Sequence, residues 1–237
     1  MILPLLAAAA AAAAPTSNGG CPDLVTPDAL VCHAVAADKA GNSAGAAQAF
    51  EEAAKASSDK DPRTGRMWAA AGNMWIAANQ PARAATDLDK ALAVGGFEGT
   101  QRGEALLDRA RAAEAQGDYS TARAKASEAA QTISNDPFYW LFSAALAIRE
   151  NDHATAQSAI TKALALAPRD ASVLFEAGHV ALFNGNDDQA RSYWRRAEDS
   201  DPGGPIGRSA AKAIEVLGVT PTVKTDATPA TTAQPRS

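Results

Sequence analysis

The chain is poor in most of the residues that mark a chemical centre. It has three histidines and two cysteines in 237 residues, which excludes a disulfide-dense fold and a four-cysteine zinc site and leaves little for a histidine-rich metal centre. Aromatic residues make up only 5%, so a core has to be assembled from many small contacts rather than a few bulky rings. There is no basic excess: 22 Lys and Arg stand against 27 Asp and Glu, for a net charge of −5. A phosphate-binding surface needs the opposite balance, so nucleic acid is not an expected partner. No phosphate-cradling glycine loop closed by Lys-Ser or Lys-Thr occurs.

What is present is alanine. The stretch Met1 to Ala14 is apolar throughout and ends at a polar break, Pro15-Thr16-Ser17-Asn18-Gly19-Gly20. It is shorter than the ~20 residues that a membrane-spanning helix requires, and it fits the hydrophobic segment of a secretory signal. No Lys or Arg precedes it, which is atypical for such a signal. The expectation is export to the periplasm or cell exterior, with no stable membrane span in the mature chain. Cys21 and Cys32 can close a short loop in an oxidising compartment, or serve as two independent small apolar residues. A lipid-anchored Cys21 lacks the expected leucine three residues earlier. Cys32-His33 is not a haem attachment, because Ala29 stands where the first cysteine belongs. No cofactor is expected.

Internal periodicity organises the rest. Small residues fall at Ala46, Ala84, Ala122, Ala156 and Ala190, spaced 38, 38, 34 and 34 apart. A second series follows in register at Ala53, Ala91, Ala129, Ala163 and Ala197, and a third precedes it at Ala34, Gly72, Ala110, Ala144 and Gly178. A period near 34 is that of a helical hairpin, and antiparallel helices approach to the short end of ~8–10 Å only where the crossing residues are tiny. Larger residues flank these crossings: Trp68, Leu106, Trp140 and Leu174 on the first helices, Phe50, Leu88, Ile160 and Trp194 on the second. Gly, Asn or Asp marks each turn within a pair, and Asp61-Pro62, Asp136-Pro137, Ala167-Pro168 and Asp201-Pro202 mark boundaries between pairs. Pro205 to Leu217 reads as a helix covering the last repeat, and the Thr/Pro/Ala-rich tail beyond Gly218 lacks any apolar period and is expected to be disordered.

This pattern resembles the tetratricopeptide repeat family, most closely over Pro137 to Asp170 and Ala171 to Gly204. Gly103 to Asp136 departs from it, lacking the terminal proline and carrying Ala126 where an aromatic or aliphatic residue is usual. Pro27 to Thr64 and Gly65 to Arg102 carry about four extra residues each against the 34-residue period. The resemblance implies an all-α, right-handed superhelical solenoid of about five hairpins with a C-terminal capping helix. Its domains would be a signal-like segment over 1–20, repeats over 21–204, a cap over 205–217 and a tail over 218–237.

The resemblance also implies a concave groove lined by the first helix of each pair, and hence a non-enzymatic scaffold that binds a peptide or partner helix. The matching positions are Arg66, Asn73 and Arg111 at its polar end. Phe138, Leu141, Ile148, Arg149, Phe175, His179, Leu182 and Phe183 continue it toward the apolar end, with Phe175 and Phe183 as anchors. Ala69 stands where a carboxylate-clamp lysine would be expected, so that specialised subtype is not implied. A structural subunit of an envelope-associated assembly is the alternative. Gly41-Asn42-Ser43-Ala44-Gly45 matches a hydrolase G-x-S-x-G string, but that chemistry needs a strand before Ser43, whereas a helix is expected there.

Overall fold

The computed structural model describes residues 20–58 and 60–219. The signal-like stretch before Gly20 and nearly all of the Thr/Pro-rich tail lie outside the described residues. Eleven α-helices and no β-strand occur among those described. They fall into two compact units divided after Leu166. The first holds α1 (Pro27–Lys39), α2 (Ser43–Ala56), α3 (Thr64–Ala77), α4 (Pro81–Val94), α5 (Gln101–Ala115), α6 (Tyr119–Ile133), α7 (Pro137–Arg149) and α8 (His153–Leu166). The second holds α9 (Ala171–Phe183), α10 (Asp187–Ser200) and α11 (Pro205–Val219).

In the first unit α1 packs on α2, α3 on α4, α5 on α6 and α7 on α8, and the first helices also meet, α3 with α5 and α5 with α7. In the second unit α9 and α10 form a hairpin against which α11 packs, and Gly218 and Val219 extend α11 two residues beyond the expected cap.

One device turns the chain in all five hairpins. A residue in the left-handed region follows the first helix: Gly41, Asn79, Gly117, Asn151 and Gly185, with φ between 56° and 77°. The next N–H then reaches back to a carbonyl of the last turn, as in Asn42 to Ala37 at 2.9 Å and Asp152 to Ala147 at 2.8 Å, which is the Schellman closure. The residue that donates this bond is itself the N-cap of the second helix in most hairpins. Asn42, Asp118 and Asn186 accept from Gly45, Thr121 and Gln189 N–H. Ser43 is therefore the first residue of a capped helix, in a helix–turn–helix setting with no strand before it.

The three series of small residues are the crossings. The thirteen alanines among them are fully buried, as are Gly72 and Gly178. A Cβ on Gly72 would stand 2.5 Å from Leu88 Cγ, and one on Gly178 would enter the Trp194 indole. Leu88, Ile160 and Trp194 fill the space beside the crossings, whereas Phe50 is half-buried and Ala126 holds the same position in the third hairpin. Trp75, fully buried, donates its indole N–H to Glu51 Oε1 at 2.8 Å and Asp87 Oδ2 at 3.1 Å. Arg83 lies over the Trp75 ring, 3.4 Å from its centroid.

Candidate functional site

In the first unit the first helices expose a groove of about 400 Å³. Its floor is Ala69, Ala70 and Ala105, and Val35, Phe50, Met74 and Phe97 form apolar walls. Arg66, Asn73, Gln101, Glu104, Asp108 and Asp38 stand around it. The floor is low because its three residues, Ala69 and Ala70 on α3 and Ala105 on α5, carry only methyl groups.

The polar rim is pre-ordered. Asn73 Nδ2 donates to Asp108 Oδ2 at 2.8 Å, and Arg111 Nη1 donates to Asp108 Oδ1 at 2.9 Å. Thr100 Oγ1 donates to Glu104 Oε1 at 2.6 Å, and Arg66 lies 3.9 Å from Glu98. Further along, Arg149 pairs with Glu114. Each arginine expected in the groove is thus tied to a carboxylate, and three carboxylates against one guanidinium line the groove itself. Such exposed pairs contribute little stability, typically under ~1 kcal/mol; their effect is to orient donors and acceptors.

Of the expected residues, Arg66 and Asn73 come together in this groove, with Arg111 at its edge through Asp108. Phe138 is exposed, and Leu141 and Ile148 are half-buried, none of them lining it. Register alone finds Val35, which precedes Asn73 by the 38-residue spacing. Phe97 comes from the longer connection after α4, which follows no period.

In the second unit His179 and Leu182 line a separate groove of about 460 Å³ with Trp194 and the α11 residues Lys212, Ala213 and Val216. Burial lowers the His179 pKa, and the ring meets Phe175 edge-on at 4.6 Å and Trp194 at 5.5 Å. Trp194 Nε1 donates to the Phe175 carbonyl at 3.0 Å. Phe175 and Phe183 are half-buried and do not line this groove.

Cys21 and Cys32 form a disulfide with Cα atoms 5.7 Å apart, and His33 Nε2 lies 3.0 Å from the Pro22 carbonyl oxygen. No group of three or more His, Cys, Asp or Glu among the described residues is placed to hold a metal ion. No helix among them is long and apolar enough to cross a membrane.

Packed helical hairpins whose first helices leave an open groove in the first unit define a repeat scaffold. A tetratricopeptide repeat profile matches residues 33–97, 76–137 and 144–205. The chain belongs to the tetratricopeptide repeat family. Among solved structures it is similar to PilW, described as a widely conserved type IV pilus biogenesis factor. That match has a TM-score of 0.64 at 18% identity and covers 78% of this chain and 82% of that one. The pilF protein of Pseudomonas aeruginosa matches with a TM-score of 0.61 at 17% identity, covering 81% and 83%. YrrB, described as having an unusual peptide-binding site, matches with a TM-score of 0.54 at 17% identity, covering 78% and 91%. These likenesses establish the fold. No curated protein matches the chain.

Proposed function

We propose that this chain is a non-enzymatic scaffold that holds an extended peptide segment of a partner protein in the groove between α1, α3 and α5. One observation carries the reading: a low alanine floor ringed by oriented polar groups, with Asn73 and Arg111 both fixed on Asp108. An extended strand presents alternating side chains and unpaired backbone groups. The floor admits the former, and Asn73, Gln101 and Glu104 offer partners to the latter. The excess of carboxylates favours a segment carrying Lys or Arg.

Export to the periplasm or cell exterior belongs to the same proposal. The disulfide between Cys21 and Cys32 suits an oxidising compartment, and the apolar run before it suits a signal. The likeness to PilW, described as a type IV pilus biogenesis factor, favours a place in an envelope assembly as the second reading.

The test is site-specific crosslinking in intact cells. A photoreactive residue at Met74 should capture one protein, and a synthetic peptide from the captured site should then bind the purified chain. Asn73→Ala combined with Arg66→Glu should abolish both events. Equal capture from an outer-face position such as Thr86, or binding untouched by the double substitution, defeats the reading. Mass spectrometry of the mature N-terminus tests export: a chain beginning near Pro15 supports it, and one beginning at Met1 opposes it.

A further inference from the structure

A second groove, of about 580 Å³, lies between α6, α7 and α8 and is lined mainly from the second helices rather than the first. Its origin is a single departure from the repeat. In four hairpins a small residue is followed sixteen positions on by a larger one: Ala34 and Phe50, Gly72 and Leu88, Ala144 and Ile160, Gly178 and Trp194, and the two glycine pairs meet across their crossings. In the third hairpin the pair is Ala110 and Ala126, so the bulky member is missing. Ala126 lines the groove in its place, over Tyr139 and Leu146.

The charged side chains that line this groove are both basic. The protein carries a net charge of −5, yet Arg123 and Lys162 line the groove and no carboxylate does. Arg123 is paired with Glu150. Lys162 instead places its ammonium over the Trp140 ring, 4.0 Å from the centroid, with no ion pair to a carboxylate among the described residues. Ser127, Ser143, Thr155 and Ser158 supply hydroxyls along the walls. An apolar floor of Ala126, Tyr139 and Leu146 beside a lysine without an acidic partner is a composite site.

We propose that this groove is a second docking surface, which takes an acidic segment of a partner protein. One bulky apolar side chain of that segment enters the groove over Ala126, and an adjacent carboxylate engages Lys162. Charge complementarity selects the carboxylate, and the missing side chain selects the apolar residue. The site is independent of the groove between α1, α3 and α5, and it prefers the opposite charge.

The test uses the full chain and a synthetic twelve-residue peptide in which one leucine is flanked by Asp and Glu. Two control peptides carry Asn and Gln, or Lys, in place of the acids. The acidic peptide should bind and perturb amide resonances of α6, α7 and α8. Lys162→Glu should weaken it about tenfold or more, a loss typical of a charge contact reversed in sign. Ala126→Leu should weaken it to a similar degree while preserving helicity, because it narrows the groove without altering charge. Arg66→Glu, in the other groove, should leave affinity within twofold. The proposal is overturned if no binding occurs up to millimolar peptide, if the neutral peptide binds equally, or if the perturbed amides lie on α3 and α5. It is also overturned if a sulfated oligosaccharide competes as well as the peptide with no need of the leucine. Sedimentation showing a dimer of this chain that Ala126→Leu dissolves would make a second copy the occupant and likewise overturn it.

Discussion

At the residue scale, two positions show how little space the design leaves. Gly178 faces Trp194, whose ring is held by its bond to the Phe175 carbonyl, so the indole has no free rotation with which to escape a new methyl group. Gly178→Ala should therefore cost about 2–4 kcal/mol in denaturant unfolding, through overpacking and a lost hydrogen bond, although alanine is the better helix former by ~1 kcal/mol. The fourth hairpin pairs Ala144 with Ile160, so adding Trp194→Ile should restore much of the loss, a non-additivity that a double-mutant cycle measures. The second position is the carboxylate pair on Trp75. Burial is the largest influence on both groups. On Asp87 it prevails, and the nearby Glu51 charge adds to it, raising the pKa above the ordinary 3.8 against the pull of Lys90. On Glu51 burial is outweighed by Lys55, Trp75 and Arg83, and the pKa falls below 4.5. A carboxyl group whose pKa rises on folding binds its proton more tightly in the folded chain, so acidification through that pKa favours folding. Asp87→Asn removes this gain. The difference in unfolding free energy between the natural chain and the variant should shift toward the natural chain as pH falls through the carboxylate range, read by tryptophan fluorescence in urea. A shift in the other direction would show that Asp87 stays ionised.

At the element scale, short polar side chains decide where each helix begins. The Schellman closure and the following N-cap occupy adjacent residues, so a reversal takes only a few residues and fixes the partner helix in register. This is why turns and helix starts were legible in the sequence: Gly-Asn, Gly-Asp and Asn-Asp pairs leave the backbone few alternatives. Asp201 acts differently, at the entry to α11. Its Oδ2 accepts from the N–H groups of Ile206 at 3.0 Å and Gly207 at 3.1 Å, satisfying two donors that the first turn would otherwise leave open. Asp201→Ala should cost about 1–2 kcal/mol and raise amide exchange within α11 and on the His179 side of α9, leaving exchange in α3 and α5 unchanged. Exchange that rises along the whole chain would show that α11 is not held chiefly by this cap.

At the scale of the whole molecule, the substantial helix contacts join elements one or two places apart in the chain. Position within the repeat therefore carries most of the structural information, and the buried crossings could be found from spacing alone, down to Ala34 and Ala197. The candidate site was only partly legible for the same reason. Arg66 and Asn73 lie on the periodic inner face, but Phe97 belongs to an irregular connection, and the pairing of Asn73 and Arg111 on Asp108 depends on how α3 and α5 meet. The absence of a bulky residue at Ala126 was visible, but the groove it opens needs the disposition of three helices. A chain built this way has a stability that is close to a sum of neighbour terms, so a defect at one end should remain there. The disulfide between Cys21 and Cys32 tests this. It closes a loop of 11 residues, which corresponds to about 2–3 kcal/mol of chain entropy, and it ties the segment before α1 to that helix. Replacing both cysteines with serine should increase amide exchange in α1 and α2 by roughly tenfold or more while α9 and α10 exchange as before. The same pattern should follow chemical reduction of the natural chain. A uniform rise in exchange across all helices would instead mark a single cooperative core, and the neighbour-by-neighbour account of this protein's stability would fail.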